Sequence, residues 1–170
     1  MEPDRARAIA ERWHRVDQEE DGTPLLMHVR RVACSTPADA RGLAWLHELL
    51  EWTSIDEREL LTEGLTSDEL RALRLLKRRT DSRSTAAYLG HLRMIAVAAG
   101  DSGRLARIIK LADLEDRRRH PHVRLDGWSP PYAHALQILQ SGLAAASSQG
   151  AGALPFRSDV PTTGGAAVGA

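Results

Sequence analysis

Residues 102–116 read Ser102-Gly103-Arg104-Leu105-Ala106-Arg107-Ile108-Ile109-Lys110-Leu111-Ala112-Asp113-Leu114-Glu115-Asp116. Apolar side chains at 105, 108, 109, 111, 112 and 114 recur at three-to-four spacing, so the stretch predicts a helix buried in a core. Ala, Leu, Arg and Glu dominate the rest of the chain, while aromatic residues make up only 4% and Val and Ile are sparse. That composition favours helix over strand, and the fold class read from it is all-α.

Working outward, Gly100-Asp101 reads as a stop followed by a new cap, and a preceding helix is predicted over roughly 84–99. Thr66 with Glu69 three residues on forms a capping-box pattern ahead of Leu70, Leu73, Leu75 and Leu76, in a helix ending at the basic run Lys77-Arg78-Arg79. Ser54 with Glu57 repeats the pattern for a short segment that Gly64 terminates. Upstream, a helix is predicted from Pro37 to about Trp52, another from Pro24 to near Cys34, and a first over 4–18 with Ala8, Ile9, Trp13 and Val16 on its buried face. Asp21-Gly22 ends that first helix. Downstream of Pro121 a loop runs through Gly127, Pro130 and Pro131 into a last helix over 132–147. Residues 148–170 are mostly Gly, Ala, Ser, Thr and Pro with little to bury, so a disordered tail is expected to follow one helical domain over 1–147.

Lys plus Arg equal Asp plus Glu at 23 each, so no global field draws in nucleic acid or an anionic membrane, and neither is expected as a partner. The N-terminus carries Glu2 and Asp4 without an apolar run, and nowhere do eighteen apolar residues follow one another. A cytoplasmic protein is expected. Cys34 is the only cysteine, which excludes an internal disulfide framework, and it is expected to be buried and inert. Trp13, Trp45 and Trp52 are expected in the core, and His91, His120, His122 and His134 on the surface or in loops.

Three otherwise apolar helices carry ionisable groups where hydrophobic packing would be cheaper: His28, the run His47-Glu48-Leu49-Leu50-Glu51, and Asp113. Buried, they need partners or a cation. His47 and Glu51 lie four apart on one predicted helix face with Glu48 about 100° around, so a groove between helices could see all three. Two imidazoles and carboxylates around a divalent metal leave positions for water and a phosphate oxygen. The plainer alternatives are hydrogen-bonded core histidines, a solvated face at Glu48 and Glu51, and an ion pair between Asp113 and Lys110. Two basic sets, Arg71 to Arg79 and Arg104 to Arg119, read either as solvated faces or as a phosphate-binding rim around the groove.

From Ala8 to Arg117 the chain resembles the HD superfamily of metal-dependent phosphohydrolases, and within it the alarmone (guanosine polyphosphate) hydrolases. The resemblance rests on ordered pieces: Asp21-Gly22-Thr23-Pro24 leading to His28-Val29-Arg30-Arg31-Val32-Ala33; Ala44 to Thr53 around His47-Glu48; Leu60 to Gly64; Leu76-Lys77-Arg78; Tyr88; and Ile109-Lys110-Leu111-Ala112-Asp113-Leu114. It implies an HD-like helical bundle with His28, His47, Glu48 and Asp113 around one divalent metal, manganese first, with iron or magnesium as alternatives. It also implies that Glu51 positions the attacking water and that Tyr88 lies near the ligand, while the rim reading makes Lys77, Arg78 and Lys110 the other substrate-binding candidates.

The chain departs from that pattern at four places. Glu48 stands where the family has Asp, adding a methylene that moves the ligand oxygen unless the helix shifts. Trp52 replaces an Asp beside the attacking water, Arg117 replaces an Asn, and Glu19-Glu20 stand where the alarmone branch has an Arg-Lys pair. The last reverses charge at a phosphate contact, so alarmone hydrolysis is not expected. The functional expectation is a metal-dependent phosphohydrolase for a nucleotide or small phosphomonoester. The alternative is a degenerate, non-catalytic HD-like module that binds a nucleotide or a protein.

Overall fold

The computed structural model describes residues 1–78, 84–121 and 130–150, the side chains of 145–150 excepted. Arg79, His122, the loop through Gly127 and residues 151–170 of the expected tail lie outside the described residues. Among those described, nine helices and no strand are found: α1 (Pro3–Trp13), α2 (Leu25–Ser35), α3 (Ala38–Trp45), α4 (Leu49–Trp52), α5 (Glu57–Thr62), α6 (Ser67–Leu76), α7 (Thr85–Val97), α8 (Gly100–Arg119) and α9 (Tyr132–Gly150). The protein is all-α, as its composition and periodicity predict.

α8 is the hub, packing against α2, α3, α6, α7 and α9. Its Ala106, Ile109 and Leu114 are at most 1% exposed, and fully burying an Ile or Leu side chain is worth about 1.5–3 kcal/mol. The wide apolar stripe has a reason: five neighbours leave α8 little solvent-facing surface. Gly100 does not stop the preceding helix, as read from the sequence. With φ at +69°, a left-handed value that suits glycine, it opens α8 three residues after the last residue of α7, Val97.

Two local corrections build the site. α1 ends at Trp13, five residues earlier than predicted, where Asp17 N turns onto His14 O at 3.3 Å, His14 Nδ1 bonds Asp17 Oδ2 at 2.8 Å, and the chain reverses as a short hairpin. Glu19 N donates to Thr23 O at 2.8 Å and Leu25 N to Asp17 O at 3.0 Å, with Gly22 at φ +82° in the turn. Val16 is therefore 82% exposed instead of facing the core, whereas Glu19 is turned inward and buried.

The helix predicted from Pro37 to Trp52 breaks at residues 46–48. Leu46 N bonds to Leu43 O and Leu49 N to Leu46 O, each one residue tighter than α-helical pairing. The cause is His47, whose Nδ1 lies 2.7 Å from Ala44 O, the carbonyl that an unbroken helix would offer to Glu48 N. His47 and Glu51 consequently do not share a helix face.

Smaller differences follow the same logic of local competition. Asp56, one turn into the expected Ser54 box, caps α5 by accepting from Glu59 N at 2.7 Å, while the Thr66–Glu69 capping box is present as predicted. Trp45 is buried, Trp13 packs half-buried, and Trp52 is 38% exposed, contrary to its expected core position. Cys34 is exposed on the outer side of α2, since Val29, Val32 and Ala33 take the inner face.

Candidate metal centre

Three segments converge on one point. α2 delivers His28, the α3–α4 break delivers His47 and Glu48, and α8 delivers Asp113. All four are buried, and one donor atom from each lies within 4.8 Å of the others. His28 Nε2 stands 3.3 Å from His47 Nε2, 3.2 Å from Asp113 Oδ1 and 3.6 Å from Glu48 Oε1, while His47 Nε2 stands 3.5 Å from Glu48 Oε1. Two imidazole nitrogens and two carboxylate oxygens at these separations could hold a metal ion, and such a donor set suits a divalent transition metal.

Both imidazoles are oriented from behind. Nδ1 of His47 donates to Ala44 O, and Nδ1 of His28 to Asp116 Oδ2 at 2.8 Å. Asp116 is in turn gripped by Arg31, Nε to Oδ1 at 2.7 Å and Nη2 to Oδ2 at 2.9 Å. Each ring thus presents Nε2 to the common point, the way metal-binding histidines are usually fixed.

The charges around that point are paired. Lys110 Nζ bonds Asp113 Oδ2 at 2.5 Å. Arg117 spans three acids, Nε to Asp113 Oδ1 at 2.8 Å, Nη2 to Glu48 Oε1 at 2.6 Å, and Nη1 to Glu19 at 3.4 and 3.5 Å. Formally, Glu19, Glu48, Asp113 and Asp116 set four negative charges against the three positive charges of Arg31, Lys110 and Arg117. The missing positive charge comes from His28. Burial and Arg117 oppose its protonation, yet hydrogen bonds to Asp113, Asp116 and Glu48 raise it to about 9. Burial pushes His47 the other way, down to about 4, so it stays a neutral donor.

Burial also works against ionising Glu48 and Asp113, but Arg117 beside the first, and Lys110 with Arg117 beside the second, hold both well below the usual carboxylate range. Arg117 itself is raised by Asp113, Glu48 and Glu19 against the opposing effect of burial.

His47, Glu48 and Asp113 floor a cavity of about 40 Å³ walled by Glu51, Arg78, Tyr88, Lys110, Arg117 and Tyr132, with His28 behind them. Glu51 faces it from α4 while bonded to Arg78 Nη2 at 2.5 Å and Nε at 3.0 Å. The structure therefore brings together His28, His47, Glu48, Asp113, Glu51, Arg78, Tyr88 and Lys110. Lys77 stands apart, exposed at the end of α6 on a separate groove with Arg71, Arg74, His91 and Met94. The two basic sets divide similarly: Arg71, Arg74, Arg104, Arg118 and Arg119 are exposed and pair with nearby acids, Arg78, Lys110 and Arg117 line the cavity, and Arg107 is buried against main-chain carbonyls at the end of α7.

Sequence reading did not identify Arg31 and Asp116 as the support for His28, nor Glu19 as a partner of Arg117. Asp116 and Arg117 follow Asp113 by three and four residues, so helical spacing alone puts them on its face. Glu19 had no such signal, because the hairpin that turns it inward is tertiary. No helix of the described residues is long and apolar enough to cross a membrane. A scan against protein-family models matches none to this chain, and a search of the curated proteins finds no match.

Proposed function

We propose that the chain is a metal-dependent phosphohydrolase of the HD type acting on a small phosphomonoester or nucleotide, with His28, His47, Glu48 and Asp113 holding a divalent cation, manganese first. One observation carries the reading: two buried imidazoles with Nδ1 tied down turn Nε2 onto two carboxylates at the floor of a cavity walled by Arg78, Lys110 and Arg117. A cation held there supplies Lewis acidity and makes water a competent nucleophile near neutral pH.

The remaining chemistry falls to the protein's own groups. Glu51, held by Arg78 at the cavity wall, would orient the attacking water and take its proton. Lys110 and Arg78 offset the charge of a phosphoryl group, and the rings of Tyr88 and Tyr132 wall the space where it enters. At about 40 Å³ the cavity takes about three water-sized groups, such as an ion with a water and one phosphoryl oxygen. A nucleoside would lie outside it.

A second reading, the non-catalytic module, is favoured by Arg117, whose guanidinium bonds the same Glu48 and Asp113 oxygens that face the imidazoles. Metal analysis of protein purified without chelator, followed by hydrolysis of p-nitrophenyl phosphate with and without manganese, separates the two. The phosphohydrolase reading expects about one equivalent of transition metal and turnover that chelator removes and manganese restores. A metal-free protein that neither takes up manganese nor turns over substrate leaves the module.

A further inference from the structure

We infer that Arg117 is the residue that receives the substrate's phosphoryl oxyanion, and that cation binding is what frees it to do so, an inference that rests on the metal site proposed above. Glu48 Oε1 and Asp113 Oδ1 each face two kinds of partner at once. On one side are the Nε2 atoms of the imidazoles at 3.2–3.6 Å, and on the other the Nη2 and Nε of Arg117 at 2.6 and 2.8 Å. A divalent ion that engages these oxygens competes with the guanidinium for them. The metal-free protein in effect uses Arg117 as its internal cation.

Once the two oxygens are drawn to the ion, Arg117 gives up its contacts at 2.6 and 2.8 Å and keeps the longer one to Glu19, at 3.4–3.5 Å, in a largely buried position with its side chain 14% exposed. A guanidinium in that position is stabilised by a new anion, and a phosphoryl group matches its planar fork with paired oxygens. Arg117 lines the same cavity as Glu51, Lys110 and Tyr88, so an oxyanion bound there stands beside the group that orients water. Substituting Arg for the family's Asn and bringing Glu19 inward are then two parts of one device: the acid steadies a cation that alternates between carboxylates and ligand.

The device makes a thermodynamic demand. Cation and oxyanion must tighten each other's binding by the same factor. Isothermal titration of manganese into the full chain, with and without inorganic phosphate, reads this directly, and phenylphosphonate as a non-hydrolysable stand-in distinguishes an ester ligand from free phosphate. The expected result is a manganese affinity about tenfold higher in saturating oxyanion, together with weak oxyanion binding when metal is absent. Arg117→Asn should bind manganese more tightly than the wild type without oxyanion, because its competitor is gone, and should show less than about threefold coupling.

Equal manganese affinity with and without both oxyanions in the wild type overturns the inference even if the variant does not fold. So does full coupling retained in Arg117→Asn. In either case manganese still binds and the metal site stands. Failure of both proteins to bind manganese at all removes the metal site itself, and this inference with it.

Discussion

Replacing Asp116 by Asn tests whether the four inward-facing donors form a metal site or an ordinary buried polar cluster. Asp116 is 7% exposed, and its two oxygens accept from three donors, His28 Nδ1 at 2.8 Å and Arg31 Nε and Nη2 at 2.7 and 2.9 Å. An amide keeps one acceptor and turns a donor toward the other side, so either Arg31 Nε loses its partner at Oδ1 or His28 Nδ1 and Arg31 Nη2 both lose theirs at Oδ2. An unsatisfied buried donor costs about 1–3 kcal/mol. Removing the carboxylate behind a ligating histidine lowers metal affinity about 10–100-fold, or roughly 1.4–2.7 kcal/mol. The predicted outcome is that Asp116→Asn stays helical by circular dichroism, shows its His28 imidazole titrating lower than in the wild type by NMR, and binds manganese in that weaker range by calorimetry once both affinities are corrected for the proton that His28, raised to about 9, must release. A folded variant whose manganese affinity lies within about twofold of wild type would refute the reasoning, because Asp116 touches the cluster only through His28 and His28 would then not be a ligand.

In chelator, thermal stability should peak near pH 6.5. His28, raised to about 9, contributes stability that is fully present below 6.5 and lost as pH rises through about 9, on the order of 3 kcal/mol, while the neutral state of His47, lowered to about 4, is disfavoured increasingly as pH falls from 6.5 toward 4. A midpoint that stays flat from pH 6.5 to 9 in a calorimetric scan contradicts the His28 assignment. Glu48→Asp withdraws its carboxylate by about 1.5 Å, one bond length, from a position already 3.5–3.6 Å from both imidazoles, so manganese binding should weaken, and a tighter titration would show that the helix break does not compensate for the longer side chain. Guanosine tetraphosphate should not be hydrolysed, since Glu19 is buried beside the site where the alarmone hydrolases have a cationic pair; manganese-dependent pyrophosphate release would disprove this.

The class and most helices were legible because they rest on periodicity and capping, which are local. The 102–116 stripe and the Thr66 box lie in helices where the sequence puts them. What escaped was decided by contacts between side chain and backbone or between distant segments. The break at 46–48 arises from an imidazole taking a main-chain acceptor, and nothing in the pattern Leu43, Leu46, Leu49, Leu50 distinguishes that from a continuous helix. The end of α1 hinges on His14 and the hairpin behind it, while Val16 happened to fall in phase with Ile9 and Trp13. At the site, the four donors were legible as misfits on apolar helices, and the pair Lys110–Asp113 as a spacing of three. Arg117 bridging Glu19, Glu48 and Asp113 joins residues 98, 69 and 4 apart, and only the packing of the hairpin and the broken helix against α8 makes that visible.

The imidazole of His47 has two occupations, and they are separable in evolution. Its Nε2 belongs to the ligand cluster, but its Nδ1 holds the carbonyl of Ala44 and with it the junction between two helices. A descendant that had abandoned metal altogether would still be penalised for losing this histidine, because the junction would be left with an unanswered acceptor. Retention of a histidine at this position is therefore a poor witness to activity. Glu48 and Asp113, which have no backbone duty of that kind and sit in a charge network that is expensive to maintain, are the positions whose drift would record the loss.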